Sequence, residues 1–351
     1  MAVTDVLKEY VGELVIGKGI VKEALGVLPV QMGKASQVAY VTYDEALKKK
    51  VITVGEVSEG GSVPELRLIN EGDQRVLILD GEQLVGAKQN RILNTTILVE
   101  AHDTLIIPVT CVEQGRWSYE HGRHAGSKDM RRSGHQMVAR ERVMKAQAVS
   151  VNLAAGAGHR GDQGETWRRI DRRMHDFGVN SPTSAMEDVY EKAEDRLKAY
   201  LEALALEAFD ESESIVGAVF TLEGEILGMD AFDKHGTAEK VWDKLLNSYA
   251  MEALGAKKDG DVNAGKAEAF LTGVAGAKMD IFSPPGLGKD VRLQADAVVG
   301  AGLVVDDQVI HAYAFNTQGQ EDEGAESPRS TMSSFGTRRN RITVNKHQYW
   351  E

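Results

Sequence analysis

Two short segments of this sequence are dense in side chains that bind phosphates, sugars and bases. The first polar segment, residues 81–91, reads GEQLVGAKQNR, and the second polar segment, residues 111–117, reads CVEQGRW. The planar guanidinium groups of Arg91 and Arg116 suit phosphate and carboxylate groups, because each can donate two parallel hydrogen bonds. Carboxamides, an ammonium group and an indole would complete a phosphate–sugar–base site. The candidate ligand-binding residues are Lys88, Gln89, Asn90, Arg91, Gln114, Arg116 and Trp117.

Each polar segment also carries a carboxylate that could do acid–base chemistry. Glu82 and Glu113 would act as acid and base on a glycosyl or phosphoester bond if both faced one cleft. A separation beyond about 10 Å would exclude a glycosidase, since even inverting pairs stand closer. A hydrolase that uses these two residues is therefore one alternative, and whether the protein is an enzyme stays open.

Cys111 is the single cysteine of the chain, and His121 and His124 follow it closely. A thiolate nucleophile near Arg116 and a metal site shared with Glu113 are the corresponding hypotheses. The apolar context LIIPVTCV favours an inert buried thiol, and a pair of loop histidines is a weak signal for a metal. The sequence contains no G-x-S-x-G, H-E-x-x-H or C-x-x-C motif, and we predict neither a metal site nor a cofactor.

The elements that must position these residues are short strands. Apolar runs at 76–79, 84–85, 97–99 and 105–112 are separated by turn residues, which is typical of antiparallel strands. The consecutive polar residues 88–91 cannot all face one side of a strand, so we expect a bulge or loop there, with Gly86 as its permissive residue. Both polar segments would then lie at strand ends and converge on one rim. The competing interpretation is that they are ordinary solvated turn residues.

The pattern of elements predicts an α+β protein built from successive units. Residues 1–125 are expected to form an antiparallel β-sandwich or barrel-like unit that carries the polar segments. Residues 126–213 favour a helical segment, residues 214–316 an α+β unit, and residues 317–351 a polar tail of disordered composition. Asp230 and Asp233 in the third unit are secondary site candidates, or caps at a strand end.

The helical segment is preceded by an excess of basic residues between Arg116 and Lys145. This basic patch is compatible with phosphate binding and equally with a solvated helix surface. A helix is expected from about residue 133 to 153, and another after residue 184, where Ser184 and Glu187 have the spacing of a capping box. The apolar spacing of that second helix predicts packing against the helices before it.

The sequence resembles a known family over most of its length. The resemblance is carried by VPELRLINEGDQRVLILDGEQLVGAKQNRILNTTILVEAHDTLIIPVTCVEQGRWSY, SPTSAMEDVYE, VGAVFTLEGEILGMDAFD, KLLNSYAMEAL and GLGKDVRLQADAVVGAGLVV. These stretches are similar to the ARG and Rhodanese-Phosphatase-superfamily-associated Protein domain family, a domain of unknown function, up to about Phe315. The resemblance implies an association with ADP-ribosyl glycohydrolase-type proteins, and hence with ADP-ribose or NAD-derived metabolites. It implies no catalytic residue that could be assigned here.

Composition limits the classes of partner. The 351 residues include 41 basic and 53 acidic side chains, a formal charge of -12, which disfavours nucleic acid. The sequence shows neither a signal peptide nor an apolar run long enough to span a bilayer, so we expect a cytoplasmic protein with no membrane partner. With one cysteine, no internal disulfide can form.

We therefore expect a protein that binds a nucleotide-sugar or phosphate-bearing metabolite at the polar segments. The alternative from another class is a non-catalytic structural or self-assembling protein, in which the same residues form structural or intersubunit contacts. The two interpretations differ in geometry. Ligand binding requires residues 88–91 and 113–117 to meet around an accessible hollow, whereas a structural role requires only that they satisfy one another.

Overall fold

The computed structural model describes residues 1–119 and 128–318 of the chain. Its N-terminal part consists mainly of short strands, many of them alternating in burial. The elements are α1 (Val3–Glu13), β1 (Val15–Ile16), β2 (Ile20–Lys22), β3 (Leu25–Gln31), β4 (Val41–Thr42), α2 (Tyr43–Lys49), β5 (Ile52–Glu56), β6 (Glu65–Asn70), β7 (Val76–Ile78), β8 (Glu82–Gly86), β9 (Arg91–Leu93), β10 (Ile97–Val99), β11 (Thr104–Cys111) and β12 (Met130–Gln136).

Helices dominate the middle of the chain, and strands return after them. The helices are α3 (Ala139–Ala154), α4 (Gln163–Phe177) and α5 (Met186–Ala203), followed by short 3-10 turns at Leu206–Ala208 and Ser212–Ser214. The C-terminal elements are β13 (Ile215–Leu222), β14 (Glu225–Phe232), α6 (His235–Ala253), α7 (Ala264–Gly276), β15 (Lys278–Phe282), β16 (Lys289–Ala295), β17 (Val298–Val305) and β18 (Gln308–Asn316).

The N-terminal strands build a nearly closed, barrel-like sheet. Six strands pair in the order β12-β8-β9-β11-β6-β5, and a bridge between Gly55 and Asp129 joins the two ends of that order. A three-stranded sheet, β10-β7-β4, packs on it through a shared core that includes Val54, Leu68 and Ile97. Closing a sheet on itself satisfies edge strands that would otherwise expose unpaired backbone groups. The expected barrel-like arrangement is confirmed.

The C-terminal strands and β1–β3 form a nine-stranded sheet whose central strands, such as β13 and β17, are buried on both faces. The main order is β1-β3-β13-β14-β18-β17-β16-β15, with β2 also paired to β3. On one face, Val219 and Met229 pack with residues of α1 and α7; on the other, Phe220 and Tyr313 pack with residues of α3, α5 and α6. Successive residues of a strand face opposite sides, so a strand covered on both faces is apolar throughout.

Residues 1–317 form one compact unit, and strands from both ends of the sequence contribute to the nine-stranded sheet. The pairing of β3 with β13 brings residues 25–31 into the same sheet as residues 215–222.

The α+β fold class is confirmed, while the predicted domain boundaries stay a prediction. None of the helices in residues 1–119 and 128–318 combines the length and the apolar character needed to cross a bilayer.

Local details differ from the sequence prediction in two places. The helix expected from about residue 133 begins only at Ala139, because residues 130–136 pair with β8 as a strand. The capping box at Ser184 does not form, since α5 starts after Ala185 without a side-chain cap and Ser184 has φ 50°. Each difference depends on pairing or backbone geometry that local residue types do not specify.

Candidate functional site

The first polar segment leaves its strand through a tight, glycine-dependent turn. Gly86 at the end of β8 has φ 136°, and a Cβ there would lie 2.7 Å from the carbonyl oxygen of Asp129. Only glycine adopts that conformation with so close a neighbour. The chain then turns through residues 87–90 and re-enters the sheet at Arg91, which pairs with Leu84 of β8 and Cys111 of β11. The expected interruption at Gly86 is present.

The second polar segment folds directly onto this turn. Arg116 donates to Glu113 from Nε, 2.9 Å from Oε1, and from Nη2, 2.6 Å from Oε2. Oε2 of Glu113 also accepts the backbone N–H of Asn90 at 3.0 Å, and Nη1 of Arg116 donates to the carbonyl of Ala87 at 2.6 Å. The backbone N–H of Val112 donates to the carbonyl of Asn90 at 3.0 Å. The two polar segments therefore meet in space.

Most of these side chains are enclosed. Lys88, Gln89, Asn90, Arg91, Glu113 and Arg116 are all buried, whereas Gln114 is exposed. The interpretation as solvated turn residues is wrong for the buried members. The bidentate pair of Glu113 and Arg116 and its bonds to Asn90 are the contacts that a structural role requires, because buried charges need partners.

Arg91 differs from Arg116 because its guanidinium is incompletely bonded. The side chain is fully buried; Nη1 donates to Oε1 of Gln89 at 3.2 Å, and Nη2 lies 3.7 Å from Oε1 of Glu56. Among the residues described, none accepts a hydrogen bond from Nε or Nη2 of Arg91, and none donates to Oε2 of Glu56. Burial lowers the pKa of Arg91, and the thiol of Cys111 and the carboxylate of Glu56 oppose that shift.

Glu56 is a site residue that the sequence analysis did not select. It ends β5, whose burial alternates so that Ile52, Val54 and Glu56 all point inward. In an alternating strand, a glutamate at a position where an apolar residue is expected was the signal that could have identified Glu56. Gly61, with φ 77°, lies nearby: a Cβ there would be 3.1 Å from Oε2 of Glu56 and 3.0 Å from the ring of Trp117.

Trp117 forms the solvent side of this group, and the buried Lys88 lies beside it. The indole of Trp117 is 43% exposed, and the ammonium of Lys88 and the guanidinium of Arg91 each lie 5.4 Å from the centre of its ring. Such distances permit cation–π attraction. We call Glu56, Lys88, Arg91 and Trp117, with Gly61, the Arg91 cluster.

Glu82 and Glu113 bind different residues. Its Oε1 is 2.7 Å from Nζ of Lys244 on α6, and its Oε2 accepts the N–H of Leu79 at 3.1 Å. Glu113 instead pairs with Arg116 at 2.6 Å. Each carboxylate is thus bound by its own cation, on different elements, and the acid–base pair stays a prediction.

Cys111 is buried within β11, and burial raises the pKa of its thiol to about 11, although Arg91 opposes the shift. A thiol is nucleophilic as the thiolate, so this environment argues against nucleophilic catalysis. His121 and His124 lie outside the described residues. Within residues 1–119 and 128–318, no group of at least three His, Cys, Asp or Glu side chains could hold a metal ion.

A second set of buried charges joins the two large sheets. Arg142 of α3 binds Asp230 of β14 through two hydrogen bonds, of 2.9 and 2.6 Å, and Lys145 binds Oδ2 of Asp80 at 2.5 Å. Oδ1 of Asp230 also lies 3.1 Å from Nε2 of His311. We call this set the central ion network; its charged and titratable members are Asp80, Arg142, Lys145, His159, Asp230, Asp290, Arg292 and His311.

The charges of the central ion network compensate one another. Arg292 donates to Oδ2 of Asp290 at 2.6 Å, and His159 lies 2.7 Å from the same oxygen. Burial alone would raise the pKa of Asp230, but the opposing effect of Arg142 and His311 is larger. The pKa of Asp230 is therefore lowered, to about 2. Burial lowers the pKa of Lys145 to about 8 despite Asp80. Matched buried ion pairs of this kind hold elements in register.

The sequence analysis assigned Arg142 and Lys145 to the basic patch, as phosphate ligands or solvated residues. Both point inward and are bound to aspartates of other elements. They lie four and seven residues after the buried Val138, in the same phase as Val149 of α3. Charged residues on the apolar face of α3 were the sequence signal that could have identified Arg142 and Lys145 as buried. Asp230, the secondary site candidate, is a member of this network rather than a cap at a strand end.

Two cavities lie apart from the Arg91 cluster. One, of about 540 Å³, lies between α3 and α4 and includes Glu141 and Lys145 in its lining. The other, of about 440 Å³, lies beside α1 and is lined by Glu9, Glu13, Asp233 and the turn at residues 306–307. Volumes in this range suit small molecules.

Comparison with known proteins gives a family but no characterised relative. A search of curated proteins found no match, and a search of solved structures found none. The model of one family, the ARG and Rhodanese-Phosphatase-superfamily-associated Protein domain, matches residues 13–315, which include both polar segments and the central ion network. The chain therefore belongs to the ARG and Rhodanese-Phosphatase-superfamily-associated Protein domain family, an uncharacterised domain family.

Proposed function

We propose that this protein binds a nucleotide-sugar or another phosphate-bearing metabolite at the Arg91 cluster. The observation that carries the proposal is the incomplete hydrogen bonding of Arg91 and Glu56, whose Nε, Nη2 and Oε2 atoms find no hydrogen-bonding group among the described residues. Leaving a buried polar atom unsatisfied costs about 1–3 kcal/mol, and more when it is charged. A bound group that satisfies all three atoms would recover that free energy.

The chemistry of the three atoms narrows the class of ligand. A guanidinium donates to phosphate oxygens in pairs, and Nε and Nη2 of Arg91 form one such pair of donors. Oε2 of Glu56 needs a donor, which a sugar hydroxyl supplies. The exposed indole of Trp117 offers a stacking surface for a base at the solvent side. A nucleotide-sugar carries all three features, as do the ADP-ribose and NAD derivatives that the family resemblance implies.

The rival proposal is a structural role, and one observation favours it. Glu113, Asn90 and Arg116 satisfy one another within the protein, so they leave little for a ligand to bind. We therefore assign the ligand contacts to the Arg91 cluster and propose that Glu113 and Arg116 hold the turn that presents it. The hydrolase alternative needs Glu82 and Glu113 in one cleft, and their separate ion pairs do not support it.

The test is a ligand screen on the full chain by thermal shift, followed by calorimetric titration. ADP-ribose, NAD and AMP are the probes. A ligand at about one hundred times its Kd stabilises a protein by about 2.7 kcal/mol, so a bound compound raises Tm by several degrees. We expect two substitutions each to weaken binding about tenfold or more. Arg91→Lys loses the planar guanidinium group, and Trp117→Ala loses the stacking surface but keeps the fold, because the indole is half-exposed.

The matched control is Arg75→Lys, at an arginine that pairs with Glu100 and Asp306 on the surface. It should bind the probes like the unaltered protein. The proposal fails if none of the probes shifts Tm at millimolar concentration, or if Arg91→Lys and Arg75→Lys bind equally well. In that case light scattering tests the structural alternative, which expects a defined oligomer.

A further inference from the structure

The cavity between α3 and α4 is lined in part by Glu141, which has one buried carboxylate oxygen without a partner. Glu141 is 6% exposed and lies in the lining. Its Oε1 accepts from Arg173, whose Nη2 is 2.8 Å away. In the part of the chain that the structure describes, no donor reaches Oε2 of Glu141. The same residue therefore lines the cavity and carries the unpartnered oxygen.

The cations of this cavity are already paired, and the exposed carboxylate of Asp162 accepts the backbone N–H of Glu165 at the start of α4. Lys145 is bound to Asp80 and to the carbonyl of Leu93. Arg169 is bound to Glu165, with Nε 2.7 Å from Oε1. An anionic ligand would find no unmatched cation in the lining residues, so the electrostatics disfavour an anion.

The rest of the lining is apolar or carries carboxamides. Met137, Met144, Ala148 and Val151 provide the apolar surface, and α3 and α4 supply several amide side chains. The volume, about 540 Å³, lies within the range of about 300–1,000 Å³ typical of small-molecule sites. Burial raises the pKa of Glu141, with Arg173 opposing and Glu252 adding to the shift, so the carboxylate gains from any group that donates to it.

We propose that the α3–α4 cavity is a second binding site, which takes a neutral, largely apolar ring compound with an N–H or O–H group that donates to Oε2 of Glu141. The ligand class follows from the shape and the lining. The apolar surface favours rings and disfavours a charged ligand, the paired cations disfavour an anion, and the unpartnered oxygen requires a donor. This site is separate from the Arg91 cluster and does not depend on the function proposed above.

The test uses N-phenyl-1-naphthylamine, a neutral fluorescent probe with one N–H donor, and its N-methyl derivative, which lacks the donor. On the full chain we expect the first probe to bind about tenfold more tightly than the second, the worth of one hydrogen bond to a charged group. Ala148→Trp, which fills the cavity, should abolish binding of both. Glu141→Met, of similar size but without an acceptor, should remove the difference between them.

Ala203→Trp, on an exposed position of α5, is the matched control and should leave both affinities unchanged. The proposal is overturned if Ala148→Trp binds the probe as well as Ala203→Trp does. It is also overturned if the two probes bind the unaltered protein equally. That second comparison needs no variant, so it decides the role of the donor even if Glu141→Met does not fold. Arg91→Lys should not affect either probe, which separates this site from the Arg91 cluster.

Discussion

At the scale of single residues, the protein places many charges inside and pairs nearly all of them. Arg142 and Asp230 illustrate the pattern: both side chains are almost fully buried and are joined by two hydrogen bonds. Removing one partner of a buried pair costs more than the pair contributes, because it leaves a desolvated charge without compensation. Arg91 and Glu141 are paired as well, but each keeps a buried polar atom without a hydrogen-bond partner, and those atoms carry the two binding proposals.

Asp230→Asn should show this cost and its pH dependence. At pH 7 we expect a loss of about 3–5 kcal/mol in the free energy of unfolding, since Arg142 keeps its charge without a counter-ion. The pKa of Asp230 is lowered from 3.8 to about 2 in the folded state, because Arg142 and His311 outweigh burial. The contribution is therefore present above pH 4 and is lost as the pH falls through about 2.

Urea unfolding from pH 7 to pH 2 measures this difference. The stability curves of the two proteins should approach each other between about pH 4 and pH 2. Asp296→Asn, in the exposed turn between β16 and β17, is the control and should follow the unaltered protein throughout. A constant gap between the Asp230→Asn curve and the unaltered curve would contradict the assignment.

At the scale of elements, the two polar segments are positioned by turns and strand pairs. β8, the turn at residues 87–90 and β9 form a hairpin whose geometry requires Gly86, and β11 places the second segment against it. α4 is fastened to the same strand, because the amide side chain of Gln163 bonds both the N–H and the carbonyl of Cys111 at 2.8 Å. The Arg91 cluster and the α3–α4 cavity thus flank one strand.

Gly86→Ala should therefore destabilise the protein and the Arg91 cluster together. We expect about 1–3 kcal/mol from backbone strain alone, with a further cost from the contact with Asp129. Gly12→Ala is the matched control, because Gly12 lies in α1 with nothing within 4 Å of an added Cβ. That change should be neutral or stabilise by up to about 1 kcal/mol. Chemical denaturation measures both; equal stabilities would show that Gly86 is not required.

At the scale of the molecule, the central ion network joins the barrel-like sheet, α3 and the nine-stranded sheet. Asp80 lies between β7 and β8, Arg142 and Lys145 belong to α3, and Asp230 and Asp290 belong to β14 and β16. β3 adds a backbone connection, since it pairs with β13 nearly two hundred positions along the chain. Residues 1–317 should therefore unfold as one cooperative unit.

Differential scanning calorimetry tests that expectation on the full chain. We expect a single transition whose calorimetric and van't Hoff enthalpies agree. Unfolding of one sheet alone would leave buried charges of the other sheet without their ion-pair partners. Two resolved transitions would contradict it. They would instead support independent units close to the predicted boundaries at 125/126 and 213/214.

The sequence alone determined the fold class, many element positions and the family. Short apolar runs between turn residues predicted the strands of the barrel-like sheet, and the interruption at Gly86 was recognisable because glycine adopts backbone conformations closed to other residues. These are local properties, which a strand or turn carries wherever it lies in the molecule. Long sequence motifs likewise identified the family, whose model matches residues 13–315.

Only the tertiary structure decided which polar residues are enclosed and what satisfies them. Arg142 and Asp230 are 88 positions apart, and Tyr313 and Asp80 are 233 apart, so no local pattern specifies their contacts. The helix expected from residue 133 gave way to β12 because its partner strand β8 lies far away in the sequence. Hydrogen bonding and burial depend on neighbours in space, and those neighbours are set when the sheets assemble.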